Sequence, residues 1–219
     1  MSLSSSYSHQ NIILPDIFSG FEAINRYWDI THDSFAAKIL PGEYYVTGQD
    51  EVIVTVLGSC VSACVRDKLL GIGGMNHFML PESAESMAYH LEAGGNSTEA
   101  TRYGGYAMEM LINDILKHGG RRENLEIKIF GGGRIISNMG DVGKRNIDFI
   151  EEYIKNEALP LISEDTGDIY PRKVVFHPNS GKVKVKRLVS LHNDTLIKRE
   201  ETYQHQIEEK PKTGDIELF

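Results

Sequence analysis

The chain has 219 residues, a net charge of −8, 41% hydrophobic residues and 25% charged residues. This length and composition predict one soluble globular domain with short appendages. The acidic balance argues against nucleic acid as a partner, because phosphate binding needs clustered Lys and Arg. No segment approaches the roughly 18 consecutive apolar residues of a membrane span, so no membrane insertion is expected.

The N-terminal region is predicted to be an appendage over residues 1–40. Its first ten residues are Ser-rich and expected to be partly disordered, while 17–40 gathers aromatic residues and is interpreted as a helical or irregular segment. The N-terminus lacks the charged and apolar regions of a signal peptide. Cys60 and Cys64 lie too far apart within one strand to bond. We therefore expect a cytoplasmic protein.

Apolar and β-branched runs predict a sheet-rich domain over residues 41–197. The predicted strands lie at 51–57, 61–67, 72–80, 125–130 and 160–165, and a hairpin is predicted at 173–188. The predicted helices, each with an apolar stripe at helical spacing, lie at 98–118 and 141–157. A polar loop separates the first strands from the first helix at 82–97, and a polar tail is predicted at 198–219. This order predicts an α+β domain with layered, mixed β-sheets flanked by helices.

A cysteine and a histidine stand at special places in the stretch TVLGSCVSACVRDKLLGIGGMNHFMLP over 55–81. Cys60 follows Gly58-Ser59, where the strand breaks and the backbone can approach a ligand closely. If the strands at 61–67 and 72–80 pair as a hairpin, positions 78–79 lie opposite Cys60, which brings His77 within reach of the thiol. One interpretation of Cys60 is a buried core residue. The other is a nucleophile activated by His77, with backbone N–H groups near Ser59 forming an oxyanion site.

Three further patterns resemble functional motifs but have simpler interpretations. A zinc site is a competing interpretation, with four candidate ligands: Cys60, Cys64, His77 and His90. Their spacing matches no compact zinc finger. The Gly131–Gly133 run predicts a tight turn, because the residues of a phosphate-binding loop do not follow it. The tripeptide at 165–167 resembles that of aspartic proteases but is predicted to be a turn. No metal and no organic cofactor is expected.

Five ordered segments carry a resemblance to a known family. They are T-x-L-G-S-C-V at 55–61, the histidine segment ending in H-x-M-L-P at 71–81, F-G-G-G at 130–133, V-G-x-R-N at 142–146 and E-D-T-G at 164–167. Together they resemble the CheD family of chemoreceptor glutamine deamidases over roughly residues 40–190. Each segment alone is weak, whereas their joint order is specific.

The resemblance implies hydrolysis of glutamine side-chain amides on methyl-accepting chemoreceptors, giving glutamate and ammonia. It implies that Cys60 is the nucleophile, that His77 is the base and that Gly58 and Ser59 contribute backbone groups to the oxyanion site. The third catalytic member is Thr55 or Ser59. The resemblance also implies a fold similar to the catalytic domain of cytotoxic necrotizing factor toxins. The alternative function is a non-catalytic adaptor that binds a CheC-type CheY-phosphate phosphatase.

Overall fold

Two five-stranded β-sheets form the framework of the part of the chain that the computed structural model describes, residues 14–80, 99–135, 142–189 and 194–209. Sheet A has the order β1 (Asn25–Asp29), β2 (Ser34–Lys38), β4 (Glu51–Leu57), β9 (Arg172–His177) and β10 (Lys182–Arg187). Sheet B has the order β3 (Tyr44–Thr47), β6 (Gly73–Asn76), β5 (Val61–Asp67), β7 (Leu125–Gly131) and β8 (Leu161–Thr166). Both sheets are mixed, because β2 runs parallel to β4 and β7 runs parallel to β8. The predicted α+β class with mixed sheets is confirmed.

Helices pack on sheet B. Helix α1 (Glu99–Lys117) contacts β3, β5 and β6, and helix α2 (Val142–Asn156) contacts α1 and β5. A Cβ atom at Gly74 would lie 2.7 Å from Leu111 Cδ1, so the glycine lets α1 approach the strand closely. The helices predicted at 98–118 and 141–157 are confirmed. The predicted loop at 82–97 lies outside the described residues.

Strand alternation on β4 determines which side chains face the site. Ile53 and Leu57 belong to the main core cluster, and Thr55 shares their face because side chains alternate along a strand. Val52 and Val54 point the other way, into a smaller cluster with Ala36 of β2. The β-branched run is thus buried on both faces, as its composition predicts.

The N-terminal appendage differs from its prediction. Residues expected to be helical or irregular form β1 and β2, an antiparallel pair in which Trp28 lies opposite Phe35. The two rings meet edge to face with centroids 5.0 Å apart. β2 continues the sheet by pairing with β4. The prediction was wrong here because paired aromatic and β-forming positions obtain their stability from partners in another strand, which a local pattern does not reveal.

The C-terminal segment also differs from its prediction. The polar tail expected from residue 198 is, over the described part, most of helix α3 (Asp194–Glu209). Tyr203 and Ile207 pack against the core, while Glu200 is fully buried. The low apolar content concealed this helix because its buried face is largely polar. Among the described residues, no helix is long and apolar enough to cross a membrane.

Candidate active site

Cys60 lies where the chain crosses from one sheet to the other. β4 ends at Leu57 in sheet A and β5 begins at Val61 in sheet B, so three residues, Gly58–Cys60, form the crossing. Such a short crossing leaves the N–H groups of these residues outside any strand ladder. The Cys60 side chain is buried, with no exposed surface.

The predicted antiparallel pairing of the strands next to Cys60 and His77 is confirmed, but β6 ends at Asn76 and does not extend to residue 80. Val61 and Phe78 exchange two backbone hydrogen bonds of 3.0 Å each, so the next pair along this antiparallel register is Cys60 and Met79. His77 follows Asn76, whose side chain donates to the carbonyl of Ala107 in α1. The neighbouring side chain therefore turns to the opposite face of sheet B, towards sheet A.

Thr55 holds the imidazole of His77. The Thr55 hydroxyl donates to the carbonyl of Ile39 over 2.9 Å, and its oxygen lies 2.8 Å from Nδ1 of His77. Because the hydroxyl proton is already committed to Ile39, the oxygen accepts from Nδ1–H. This assigns the proton of the neutral ring to Nδ1 and leaves Nε2 with a lone pair.

The remaining ring nitrogen of His77 is available for proton transfer. Nε2 is buried and has no hydrogen-bond partner among the described residues. Burial, and to a lesser extent the charge of Arg199, lowers the pKa of His77 to about 3. The ring is thus neutral at physiological pH, as a general base must be before it takes a proton.

Three backbone N–H groups of the crossing converge on one carboxylate, that of Glu200 from α3. Oε1 accepts from the N–H of Gly58 at 2.8 Å and from that of Cys60 at 3.4 Å. Oε2 accepts from the N–H of Ser59 at 2.9 Å and from its hydroxyl at 2.6 Å. Four donors around one anion constitute an oxyanion-type pocket beside Cys60.

The carbonyl groups of the same peptide units are held by hydrogen bonds from the glycine turn after β7 and from helix α2. The carbonyl of Gly58 accepts from the N–H of Gly133 at 2.7 Å, and the carbonyl of Ser59 accepts from Nδ2 of Asn146 at 2.8 Å. In a planar trans peptide the C=O and the next N–H point in opposite directions. These bonds therefore aim the N–H groups of Ser59 and Cys60 into the pocket.

The glycine turn and the start of α2 fit together closely at this point. Gly131 and Gly132 have φ values of 110° and 67°, as expected for a tight turn after β7. A Cβ atom at Gly143 would lie 2.6 Å from the carbonyl oxygen of Gly132, so α2 can begin directly against the turn only with glycine there. The sequence motifs at 130–133 and 142–146 thus hold the Cys60 crossing. Sequence reasoning had identified these motifs without assigning them this role.

The electrostatics of Cys60 depend on Glu200. Burial, followed by the charge and hydrogen bonding of Glu200, raises the pKa of the Cys60 thiol well above its usual range. Burial likewise raises the pKa of Cys64. An exposed, readily ionised thiol is therefore absent from this arrangement. Here α3 covers Cys60 and keeps its thiol protonated.

The four candidate ligands of the competing zinc interpretation are not brought together among the described residues. Single ligand atoms of Cys60, His77 and Glu200 lie within 4.8 Å of one another. Cys64 instead lies further along β5, opposite Met75, and His90 is outside the described residues. Both Glu200 oxygens already accept hydrogen bonds from the crossing. These contacts are those of an anion in a pocket of donors.

Of the predicted residues, Cys60, His77, Thr55, Gly58 and Ser59 all meet at this one place. Sequence reasoning missed Asn146 and Glu200. Asn146 lies within the V-G-x-R-N segment, which was a usable signal. Glu200 is 140 residues from Cys60, in a segment without any motif.

Comparison with known proteins finds relatives along almost the whole chain. The family model for CheD chemotactic sensory transduction matches residues 79–187. A protein of Halorhodospira halophila named probable chemoreceptor glutamine deamidase CheD is 55% identical, covering 98% of this chain and 98% of its own. Proteins with the same name from Methylobacillus flagellatus and Hahella chejuensis are 54% and 52% identical, covering 90% and 91% of this chain and 96% and 92% of their own.

Proposed function

This chain belongs to the CheD family, and from that membership we propose that it hydrolyses the side-chain amide of glutamines on chemoreceptors, leaving glutamate and releasing ammonia. One observation in the site carries the proposal. A glutamate side chain, which is the group that this reaction produces, lies in the donor pocket beside Cys60 and His77. A glutamine carbonyl oxygen entering the same pocket would bring its amide carbon to the thiol.

The first chemical step is attack by Cys60. Nε2 of His77 takes the thiol proton, and the sulfur forms a bond to the amide carbon of the glutamine. Negative charge moves to the amide oxygen, which the N–H groups of Gly58 and Cys60 stabilise. Thr55 accepts from Nδ1–H and so keeps Nε2 directed towards the reaction.

The second step releases ammonia and regenerates the thiol. The imidazolium of His77 gives its proton to the departing nitrogen, the carbon–nitrogen bond breaks, and a thioester of Cys60 remains. His77 then takes a proton from water, and the resulting hydroxide adds to the thioester carbon. The carbon–sulfur bond breaks, the imidazolium returns its proton to the departing thiolate, and the product leaves as glutamate after losing its carboxyl proton to solvent. Water is the one co-reactant that these two reaction steps need.

The contacts support Thr55, over Ser59, as the third member of the catalytic group. Thr55 touches the His77 ring, whereas the Ser59 hydroxyl donates to the bound carboxylate. Ser59 thus belongs to the anion pocket, where it adds a donor next to its own N–H group.

The test measures ammonia release from a chemoreceptor cytoplasmic fragment rich in glutamine, at saturating fragment concentration. Cys60→Ala should abolish release, while Cys64→Ala, a change at the other buried cysteine, should leave it intact. Circular dichroism checks that both variants fold. Full release by Cys60→Ala would refute Cys60 as the nucleophile. No release by the parent chain would refute the enzymatic function and leave the adaptor role as the alternative.

The finer expectations also belong to this proposal. We expect the substrates to be methyl-accepting chemoreceptors, and a pull-down with a CheC-type phosphatase would test that predicted partner. Similarity to the catalytic domain of cytotoxic necrotizing factor toxins stays a prediction, which superposition on a solved toxin domain would check.

A further inference from the structure

Helix α3 covers the donor pocket at Gly58–Cys60 and places a charged side chain inside it. Its buried face presents Glu200 and Gln204, and Tyr203 and Ile207 pack alongside against the core. The Tyr203 hydroxyl contacts that of Tyr103 in α1, and its ring lies against Gly42. One side of a helix thereby lies across the crossing at Gly58–Cys60.

The hydrogen-bond donors under α3 favour a carboxylate over a carboxamide. Backbone N–H groups can only donate, and those of Gly58, Ser59 and Cys60 all point at the two oxygens of Glu200. A carboxamide in the same pose would present its own N–H₂ donors to one of these groups. Charge-assisted bonds to the carboxylate are also stronger than bonds to a neutral amide. The bound group therefore resembles the product of glutamine hydrolysis more closely than the substrate.

A substrate cannot enter while α3 is in place. Glu200 and Cys60 have no exposed surface, and His77 is also buried. Any glutamine that reaches Cys60 must take the position of the Glu200 carboxylate, because the same N–H groups would hold its oxygen.

We propose that α3 is an intramolecular product mimic: its Glu200 carboxylate occupies the oxyanion pocket, and a receptor glutamine gains access only when α3 is displaced. The ligand class of the pocket is a glutamate side chain presented on a helix. Occupation of the pocket by α3 stands independently of the reaction, whereas the inhibition of turnover rests on the proposed deamidase function.

The first experiment measures access to Cys60 without using the reaction. The full chain is labelled with iodoacetamide, and the alkylated peptides of Cys60 and Cys64 are quantified over time by mass spectrometry. In the parent chain Cys60 should label no faster than Cys64. Glu200→Ala should accelerate Cys60 labelling about 10- to 100-fold, because several charge-assisted hydrogen bonds that hold α3 are lost. Cys64 then serves as the internal reference for global unfolding.

Two further variants make this result specific. Glu200→Gln keeps the size of the side chain and should also accelerate Cys60 labelling, because it removes the charge and one acceptor. Glu201→Ala removes the neighbouring acidic residue on the same helix and should leave the labelling rate unchanged. An unchanged Cys60 rate in both Glu200 variants would overturn the proposal. Equal acceleration of Cys60 and Cys64 would overturn it as well, since that pattern indicates general destabilisation.

The second experiment measures inhibition with the chemoreceptor fragment. An intramolecular occupant lowers the fraction of competent sites, so its removal lowers the apparent KM by the same factor while kcat is unchanged. We therefore expect Glu200→Ala to lower the apparent KM and to leave kcat unchanged. A raised KM or a reduced kcat in a folded variant would overturn inhibition by α3. Faster Cys60 labelling without ammonia release from any variant would support docking of α3 and refute the deamidase function instead.

Discussion

Asn146 offers the sharpest test of how the pocket is built. Its amide group bridges two backbone segments: Nδ2 donates to the carbonyl of Ser59 at 2.8 Å, and Oδ1 accepts from the N–H of Leu80 at 2.9 Å. The Ser59 carbonyl and the Cys60 N–H belong to one peptide unit. Replacing Asn146 by Ala frees this unit to rotate, and the Cys60 N–H then loses its aim into the pocket.

The structure allows the magnitudes to be worked out. Asn146 is fully buried, so its loss leaves one buried C=O and one buried N–H without partners, at about 1–3 kcal/mol each. A domain stability of about 5–15 kcal/mol leaves the variant folded in most of that range. Loss of one oxyanion donor costs about 10²–10³ in kcat. Of the two hydrogen bonds to Oε1 of Glu200, the one from the Cys60 N–H is longer, at 3.4 Å, than the one from the Gly58 N–H, at 2.8 Å. We therefore expect the lower end, about a 100-fold fall in kcat.

A matched control is Asn76 at the end of β6. Asn76 is also buried and also bridges two backbone groups, the N–H of Ala63 at 2.8 Å and the carbonyl of Ala107 at 3.2 Å. Asn76→Ala should lower the free energy of unfolding, measured in urea, by a similar amount with little change in kcat. The assay compares kcat and KM for ammonia release in both variants. If Asn146→Ala loses no more kcat than Asn76→Ala, Asn146 does not act by positioning the Cys60 N–H.

Three further predictions concern single groups. Thr55→Val keeps the side-chain shape but removes the oxygen that accepts from the His77 ring. It should lower kcat about 10- to 100-fold and change the pH–rate profile. An unchanged kcat would show that another group orients the ring. Because burial lowers the pKa of His77 to about 3 from an ordinary value of 6.5, the unfolded chain binds the extra proton between these values. The free energy of unfolding therefore keeps this contribution above about pH 6.5 and loses about 1.4 kcal/mol of it per pH unit as the pH falls towards 3. His77→Asn should remove this loss and so flatten the acid side of the plot of unfolding free energy against pH. Identical plots for the parent chain and the variant would refute the lowered pKa of His77. Glu51→Gln should lower the free energy of unfolding in urea by about 3–5 kcal/mol, because it leaves the buried charge of Arg26 without its partner, which lies 2.9 Å away. A loss below about 1 kcal/mol, as for an exposed ion pair, would contradict this prediction.

Much of the site followed from local sequence features. The run EVIVTVL predicts a strand, and its period-2 alternation puts Thr55 on the face of Ile53 and Leu57. The hairpin spacing between Cys60 and His77 predicts their approach, because antiparallel register follows from distance to the turn. The same kind of reasoning failed for β1 and β2, whose stability depends on partners across the sheet. It failed again for α3, because a helix that buries polar groups carries little apolar signal.

The sequence by itself determined the approach of Cys60 and His77 and the strands that bring them together, because these depend on side-chain identity and short-range periodicity. Only the tertiary structure decided what surrounds them. The donors of the pocket are backbone N–H groups, which every residue except proline carries and which therefore leave no mark in the sequence. Their aim depends on Asn146, which is 87 residues from Ser59, and their occupant is Glu200, which is 140 residues from Cys60. Contacts over such separations arise from the packing of whole elements, so a local pattern in the chain does not record them.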